Sequence, residues 1–415
     1  MTYDVADKSL ANEGKKQIDW AETQMHGLLK MKERFKKEQP LKGMRIGMAL
    51  HVTKETAVLV RTLIAGGATV AITGCNPLST QDAVAAALAD EGVHVYAKRG
   101  VQTKEYYQFL NKVIDFRPHI TIDDGCDLVT EIHTKRPEVL SGIIGGAEET
   151  TTGIIRLHAM EKDNVLKYPM ISVNDSNTKH LMDNFIGTGQ SSLDGILRAT
   201  SILIAGKNLV VCGYGPCGKG VAARAGGLGA NVIVCEVDAF RALQAHYDGY
   251  RVMPIKAAAK IGDVFITVTG DKHVIQLEHM KSMKNNAILA NSGHFDLEID
   301  VIALKKNAKK RNIRENLDEY TLDGKKLFLL GEGRLVNLAA AEGHPSEVMA
   351  MSFMNQALAC EFLVKNKGTL ENKLYALPPE LDDLVAQTQL DALGIKKDVL
   401  TEEQKKYLSG WQEGT

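Results

Sequence analysis

The stretch NLVVCGYGPCGKG (208–220) decides the fold. NLVVC is a short apolar run of strand character, and the glycines after it open a segment of helical period over 218–228. Strand, Gly-x-Gly-x-x-Gly turn and helix in that order make the phosphate-cradling corner of a dinucleotide-binding βαβ unit. Gly213 makes the tight turn, Gly215 lets a pyrophosphate approach the backbone, and Gly218 lets the helix pack close, with its N-terminus facing the phosphates. Glu236 ends the next apolar run, NVIVCEVD (231–238), 23 residues after Gly213. A carboxylate there accepts hydrogen bonds from ribose hydroxyls and repels a 2′-phosphate, so the spacing predicts NAD rather than NADP. The octapeptide 213–220 also fits the front of a nucleoside-triphosphate P-loop. Gly220 stands where that loop needs Ser or Thr to hold Mg²⁺, which decides against it.

Outward from this corner the alternation continues. A helix over 239–248, then YRVMPI (250–255), DVFITVTG (263–270) and NAILANSG (286–293), extend a doubly wound sheet that KKLFLLGEGRLVNLAA (325–340) closes with strands. Upstream, MRIGMAL (44–50), TVAITG (69–74), VHVYA (93–97) and HITIDD (119–124) alternate with helical segments ending in glycine. One or two amphipathic helices over 8–37 precede them. SEVMAMSFMNQALACEFLVK (346–365) is too apolar for a surface helix and is expected to return to the first sheet. The fold class is therefore α/β, with two doubly wound parallel-sheet domains and a small C-terminal helical segment. The expected division is 1–183 with 344–374 for substrate, 184–343 for NAD, and 375–415 as a segment for oligomerisation or cofactor docking. LKKNAKKRNIREN (304–316) reads as a solvated helix face rather than a nucleic-acid patch.

Composition supports an enzyme of small molecules. In 415 residues, 50 Lys plus Arg against 51 Asp plus Glu leave a charge of -1, so no field of one sign favours nucleic acid or an anionic membrane. With 37 glycines but only 10 prolines, the chain suits neither disorder nor collagen. Its six cysteines form no CxxC pair and sit in apolar runs, as reduced cytosolic thiols do. The polar, acidic start has no signal-peptide character, and no apolar run reaches the ~18 residues of a membrane span. Cytoplasmic residence is expected.

Polar strings cluster where strands should end: LHVTKET (50–56), DDGCD (123–127), EETTTG (148–153), NDSNTKHLMDN (174–184), SGHFDLEID (292–300), and GEGRLVN followed by EGHPSE (331–347). Lys179 and Asp183, four residues apart, place ammonium and carboxylate on one helix face. An ordinary surface ion pair has the same spacing. No HExxH or paired Cys/His spacing appears, so no metal site is expected. The residues alone lead to an NAD enzyme with an acid/base-rich cleft between domains and leave its reaction open.

At NDSNTKHLMDN, GYGPCGKG, GAEETTTG, SGHFDLEID and GEGRLVNLAAAEGHPS the sequence resembles the S-adenosyl-L-homocysteine hydrolase family, from residue 41 through the helix ending near Cys360. The resemblance implies reversible hydrolysis of S-adenosylhomocysteine to adenosine and homocysteine, with bound NAD recycled in each turnover. Oxidation of the 3′-hydroxyl acidifies C4′–H, homocysteine is eliminated, water adds, and C3′ is reduced again. Lys179 and Asp183 would then meet the 3′-hydroxyl, Asp124 would face C4′, and Glu149 would bind the ribose. His51 and His294 would serve the C5′ side, Thr53 and Glu55 the purine edge, and His344 a purine-contacting gate. Thr150, Thr151, Thr152, Asn184, Gly213, Gly215, Pro216, Cys217, Gly218, Lys219, Gly220, Glu236, Arg241, Ser292, Gly293, His294 and Asn337 occupy the family's NAD positions. A homotetramer is implied as well.

Departures from the family pattern mark individual positions. Pro216 and Cys217 replace Asp-Val of the animal turn, Arg241 stands for an Asn, and Thr188 for a Cys. The tail LTEEQKKYLSGWQEGT (400–415) lacks the Lys and Tyr that in many relatives reach a neighbour's NAD, leaving Lys405 or Lys406 for that contact. Glu342 and Glu347 differ near the GHP loop, which keeps S-inosylhomocysteine open as substrate. A net hydroxy-acid dehydrogenase and an NAD-sensing regulator are the remaining readings of the same fold.

Overall fold

Short apolar runs such as RIGMA and TVAIT become parallel strands because alternate residues have an apolar layer to enter on either side. Ile46 and Met48 enter one core with Val70 and Ile72, while Ala49 and Ala71 enter another with Phe109 and Leu110. The same division separates Leu209 and Val211 from Val210 and Cys212. A computed structural model describes residues 2–414 and gathers these runs into two eight-stranded sheets. The first runs Tyr3–Val5, His94–Ala97, Thr69–Thr73, Arg45–Ala49, Ile120–Asp123, Gly145–Glu148, Met170–Ser172, Leu374–Ala376, parallel throughout. The second runs Arg251–Val252, Asn231–Cys235, Asn208–Cys212, Val264–Thr267, Ala287–Asn291, Lys325–Leu330, Leu317–Leu322, Lys309–Arg314, and only Leu317–Leu322 runs against the others.

The apolar helix Ser346–Lys365 buries Phe353, Met354, Ala357 and Leu358 in the core that holds Ile46 and Met48. The first part of the C-terminal segment does likewise. Its strand Leu374–Ala376 extends the first sheet, and Val385 of the helix Pro379–Ala392 enters the same core. Sequence reading assigned all of 375–415 to docking; this part is instead built into the first body, because a β-bridge and a buried face fix it there.

Three further expectations change. YRVMPI yields only a two-residue strand, Arg251–Val252, because Pro254 stops the ladder and starts a short helix at Ile255. The closing run 325–340 is a strand only to Leu330, after which its glycines turn the chain into the short helix Val336–Ala339. The basic stretch 304–316 is a helix end followed by the exposed edge strand Lys309–Arg314. Lys310 and Arg311 pair with Asp318 and Glu319 of the neighbouring strand, and their charge blunts an edge open to further pairing. No helix among the described residues is long and apolar enough to cross a membrane.

Within the second body, close backbone contact ties the glycine turn to the stretch that enters from the first. A Cβ on Gly220 would lie 1.8 Å from the Phe185 carbonyl oxygen, and one on Gly189 would lie 2.6 Å from Gly220. The glycine-turn helix Pro216–Gly227 thus packs directly on the segment that carries Lys179 and Asp183. Gly220→Ala is expected to cost about 1–3 kcal/mol through this overlap, read as a lower denaturation midpoint at unchanged slope.

Candidate active site

Parallel strands present their carboxyl ends to one side, and here both sheets end toward one cavity of about 910 Å³. His51, Asp124 and Glu149 lie just past Ala49, Asp123 and Glu148 of the first sheet. Gly213, Glu236 and Ser292 directly follow Cys212, Cys235 and Asn291 of the second. The alternation read from sequence therefore delivers the polar strings to one place.

At the junction of the two halves, Lys179 Nζ lies 2.8 Å from Asp183 and 3.6 Å from Glu149, and donates to Asn184 Oδ1 at 2.7 Å. The backbone from His180 to Gly187 is π-helical rather than the α-helix that i, i+4 spacing implied, yet the ion pair forms. Asp382 holds the preceding turn by accepting from the backbone N–H groups of Asn177 and Thr178 at 2.6 and 3.0 Å. Burial opposes the Lys179 ammonium, but Asp183 and then Glu149 outweigh it and hold the lysine above its usual range. Asp183 is held below its usual range by Lys179 and His344, again against burial. Glu149 is pushed up to about 7, chiefly by burial, with Lys179 opposing. It accepts from Ser352 Oγ and, at 2.6 Å, from Gln356 Nε2. His344 Nδ1 shares a short hydrogen bond with Asp183, so the gate position closes onto the charged cluster.

A second cluster occupies the first-sheet end. His51, Asp124 and His294 have side-chain nitrogens and oxygens within 4.8 Å of one another. Asp124 faces both imidazoles at 3.4 Å, His51 through Nε2 and His294 through Nδ1. Ser79 Oγ lies 2.7 Å from His51 Nδ1 and fixes the ring. Burial pushes His51 down to about 4 despite Asp124, so its imidazole is neutral at neutral pH. Thr53 and Glu55 line the same wall; Thr53 caps the helix Lys54–Ala65, and Glu55 accepts from Ser346 Oγ at 2.7 Å.

The second-sheet half is shaped for a dinucleotide. A Cβ on Gly215 would meet only Arg241 Nη1, at 3.7 Å, so the turn lies open to a phosphate. Glu236 accepts from the backbone N–H groups of Tyr214, Val237 and Asp238 at 2.6–3.0 Å, which anchors the carboxylate at the cavity wall. Asn337 Oδ1 is buried without a partner on a residue that lines the cavity, an acceptor suited to an amide N–H of a ligand. Thr150, Thr151, Thr152, Asn184, Pro216, Cys217, Arg241, Ser292 and Gly293 also line it.

Gly218, Lys219 and Gly220 do not line the cavity. Gly218 serves packing, since a Cβ there would meet Gly213 O at 2.0 Å. Lys219 turns its ammonium over the Tyr214 ring, 5.8 Å from its centre.

The S-adenosyl-L-homocysteine hydrolase profile matches residues 2–140, and the NAD-binding-domain profile of the same family matches 184–343. The chain belongs to the S-adenosyl-L-homocysteine hydrolase family. It is 60% identical over 414 residues to the S-inosyl-L-homocysteine hydrolase of Methanocaldococcus jannaschii, covering all of both chains. It is 59% identical over 418 residues to the adenosylhomocysteinase of Saccharolobus solfataricus, again covering all of both. The adenosylhomocysteinase of Aquifex aeolicus is 57% identical over 418 residues with the same coverage. Like other members of this family, the protein is an NAD-dependent hydrolase.

Several residues that shape this hydrolase site carry no motif. Ser79, Ser352, Gln356 and Asp382 act by orienting His51, Glu149 and the Lys179 turn, and are brought there only by tertiary packing. Lys54 lies beside a motif yet reads as an ordinary surface lysine. It is buried between Glu55, at 3.4 Å, and Glu342 of the second body, at 2.9 Å.

Proposed function

We propose that this protein hydrolyses S-adenosyl-L-homocysteine reversibly to adenosine and L-homocysteine. The observation that carries the reading is the buried Lys179–Asp183–Glu149 cluster where the dinucleotide-shaped half of the cavity meets the half lined by His51 and Asp124. NAD, when bound, supplies the oxidant for C3′ and the reductant that restores it. Lys179 Nζ and Asp183 bind the ribose 3′-hydroxyl and handle its proton.

With C3′ oxidised, Asp124 takes the acidified C4′ proton, and Glu149 orients the ribose. His51 and His294 pass protons to the leaving sulfur and from the incoming water at C5′. Neutral His51 suits the second task as a base. Thr53 and Glu55 meet the purine edge, where the Glu55 carboxylate accepts from the adenine amino group, and His344 closes the pocket. Asn337 and Glu236 hold the two ends of NAD, with Thr150, Thr151, Thr152 and Asn184 between. The substrate unit is residues 1–183 with 344–374, extended by the strand and helix that run to Ala392, the NAD unit is 184–343, and a cytoplasmic homotetramer acting in the methyl cycle is the expected assembly.

S-inosyl-L-homocysteine is the second reading. Lys54 Nζ, 3.4 Å from Glu55 Oε1, is a donor beside the acceptor that a 6-amino group needs. A 6-oxopurine offers O6 to such a donor and N1–H to the carboxylate. Thiol release from both thioethers tests the choice, with kcat/KM expected higher for the adenosyl compound. A large preference for the inosyl compound overturns the purine assignment, and no release from either overturns the reaction.

A further inference from the structure

Two strands of the first sheet end in paired acids, Asp123-Asp124 and Glu148-Glu149. The second member of each pair lines the cavity. The first members stand directly opposite each other in the parallel register, Asp123 against Glu148, so their side chains share one face of the sheet. Both are fully buried, and among the described residues neither has an ion-pair partner. Arg156, the nearest cation on the covering helix, spends its guanidinium on Gly125 O, Asp127 and Thr130.

The two carboxyls differ in how their oxygens are satisfied. Asp123 accepts from the Asp124 N–H at 3.0 Å with one oxygen and from the Val129 N–H at 2.9 Å with the other. Glu148 takes both of its amide donors on Oε1, from Gly125 at 2.8 Å and Thr150 at 3.1 Å. Its Oε2 is buried with no partner. Two uncompensated carboxylates side by side in a dry layer repel, and the oxygen without a donor is the natural place for a proton.

We propose that Glu148 is a positioning residue held as the neutral acid, its proton on Oε2 and its Oε1 tying together the two loops that carry Asp124 and Glu149. Gly125 and Thr150, the residues it joins, directly follow those two groups. A Cβ on Gly153 would come 2.1 Å from the Glu148 carboxyl carbon, so the carboxyl is seated under the first turn of the helix Thr151–Lys162. Ionisation would place a second negative charge against Asp123 inside that seat. The titratable groups that face the pair are Asp124 and Cys126 beyond the end of Asp123's strand, Asp127 at the next helix start, Arg156 on the covering helix, Cys75, Tyr106 and Tyr168. Burial, then Asp123 and Asp124, push Glu148 well above the usual carboxylate range, and burial pushes Asp123 up to about 7.

Only the activity arm of the test rests on the hydrolase reading above. A glutamic acid with a raised native pKa binds its proton in the folded state after the unfolded chain has lost it. The stability it contributes is therefore lost as pH rises from the ordinary carboxylate range through the raised value. The NAD-loaded Glu148→Gln protein keeps a neutral group and the Oε1 acceptor. It is expected to show a smaller fall in Tm with rising pH than the wild type and kcat/KM within about threefold of it. The infrared carbonyl band of protonated glutamic acid is expected in ¹³C-glutamate-labelled wild type at neutral pH and to lose intensity in Glu148→Gln, the remainder coming from Glu149, itself pushed up to about 7. Glu148→Ala, which strands the Gly125 and Thr150 N–H groups, is expected to lose activity more than tenfold. The proposal is overturned by a band of equal intensity in wild type and Glu148→Gln, by equal Tm slopes, or by a Glu148→Gln as inactive as Glu148→Ala. Inactivity of the wild type itself toward both thioethers, with the band and slopes as expected, overturns the hydrolase reading and leaves the neutral acid standing.

Discussion

Lys179→Ala is expected to lower thiol release from the thioether substrate by about 10³-fold or more, at the upper part of the range for a lost acid/base group. Added adenosine should no longer change the redox state of the enzyme-bound nicotinamide. The expectation follows from where the ammonium sits. Its ammonium lies between the buried carboxylates of Asp183 and Glu149, with the half-buried His344 on Asp183 as well. Removing it takes the ammonium from both buried carboxylates, leaving Asp183 with His344 and Glu149 with the neutral donors Ser352 and Gln356, and loss of one partner of a buried pair costs about 3–5 kcal/mol. Glu149, already up at about 7 through burial, then takes up a proton more readily because Lys179 no longer opposes. A loss of activity could therefore reflect lost folding, and the Tm of the NAD-loaded variant must be read beside it. Lys179→Arg separates the two causes, because it keeps the charge but titrates far outside the working range. Its expected behaviour is near-normal stability with activity as low as in Lys179→Ala. Full turnover in either variant would remove Lys179 from the chemistry.

The sequence was most legible where local pattern and tertiary role agree. The glycine turn is the clearest case: Gly213 has φ +107°, a Cβ on Gly218 would come 2.0 Å from the Gly213 carbonyl oxygen, and Gly215 faces open space, each as its place in the motif requires. Strand-end polar strings were also readable, since a parallel sheet collects its carboxyl ends whatever lies between them. Legibility failed where a residue acts through a partner far along the chain. Ser352 and Gln356 sit in a helix read only as apolar, more than 200 residues from Glu149. The edge strands Tyr3–Val5 and Lys309–Arg314 were missed for another reason. An edge needs no continuous apolar pattern, because one side of it is not paired and its faces are partly wet. Arg241 stays between the two categories: its side chain stands near the Gly215 turn, which suits a phosphate, while Glu236 beside it is fixed by three amides and suits ribose hydroxyls.

His51→Asn is expected to separate the steps that Lys179→Ala would abolish together. His51 is held by Ser79 and Cys75, its ring centre 6.1 Å from that of His294, and among the described residues no hydrogen bond or ion pair joins it to Lys179. Its loss should leave the 3′ chemistry intact, so adenosine still changes the redox state of bound nicotinamide, while thiol release falls about 10²–10⁴-fold. The same variant carries a pH signature that needs no substrate. Burial holds the native imidazole at about 4, so between that value and the ordinary histidine range the unfolded chain binds a proton that the folded protein does not. Wild-type stability should therefore rise with pH across that window and fall away as pH drops through it. His51→Asn lacks the titrating group, and its Tm should change less over the same interval. If the variant releases thiol at the wild-type rate, proton transfer at C5′ belongs to His294 or to Asp124 instead. If it loses the nicotinamide response as well, the two clusters work as one unit, and the division of the cavity into a 3′ end and a 5′ end fails.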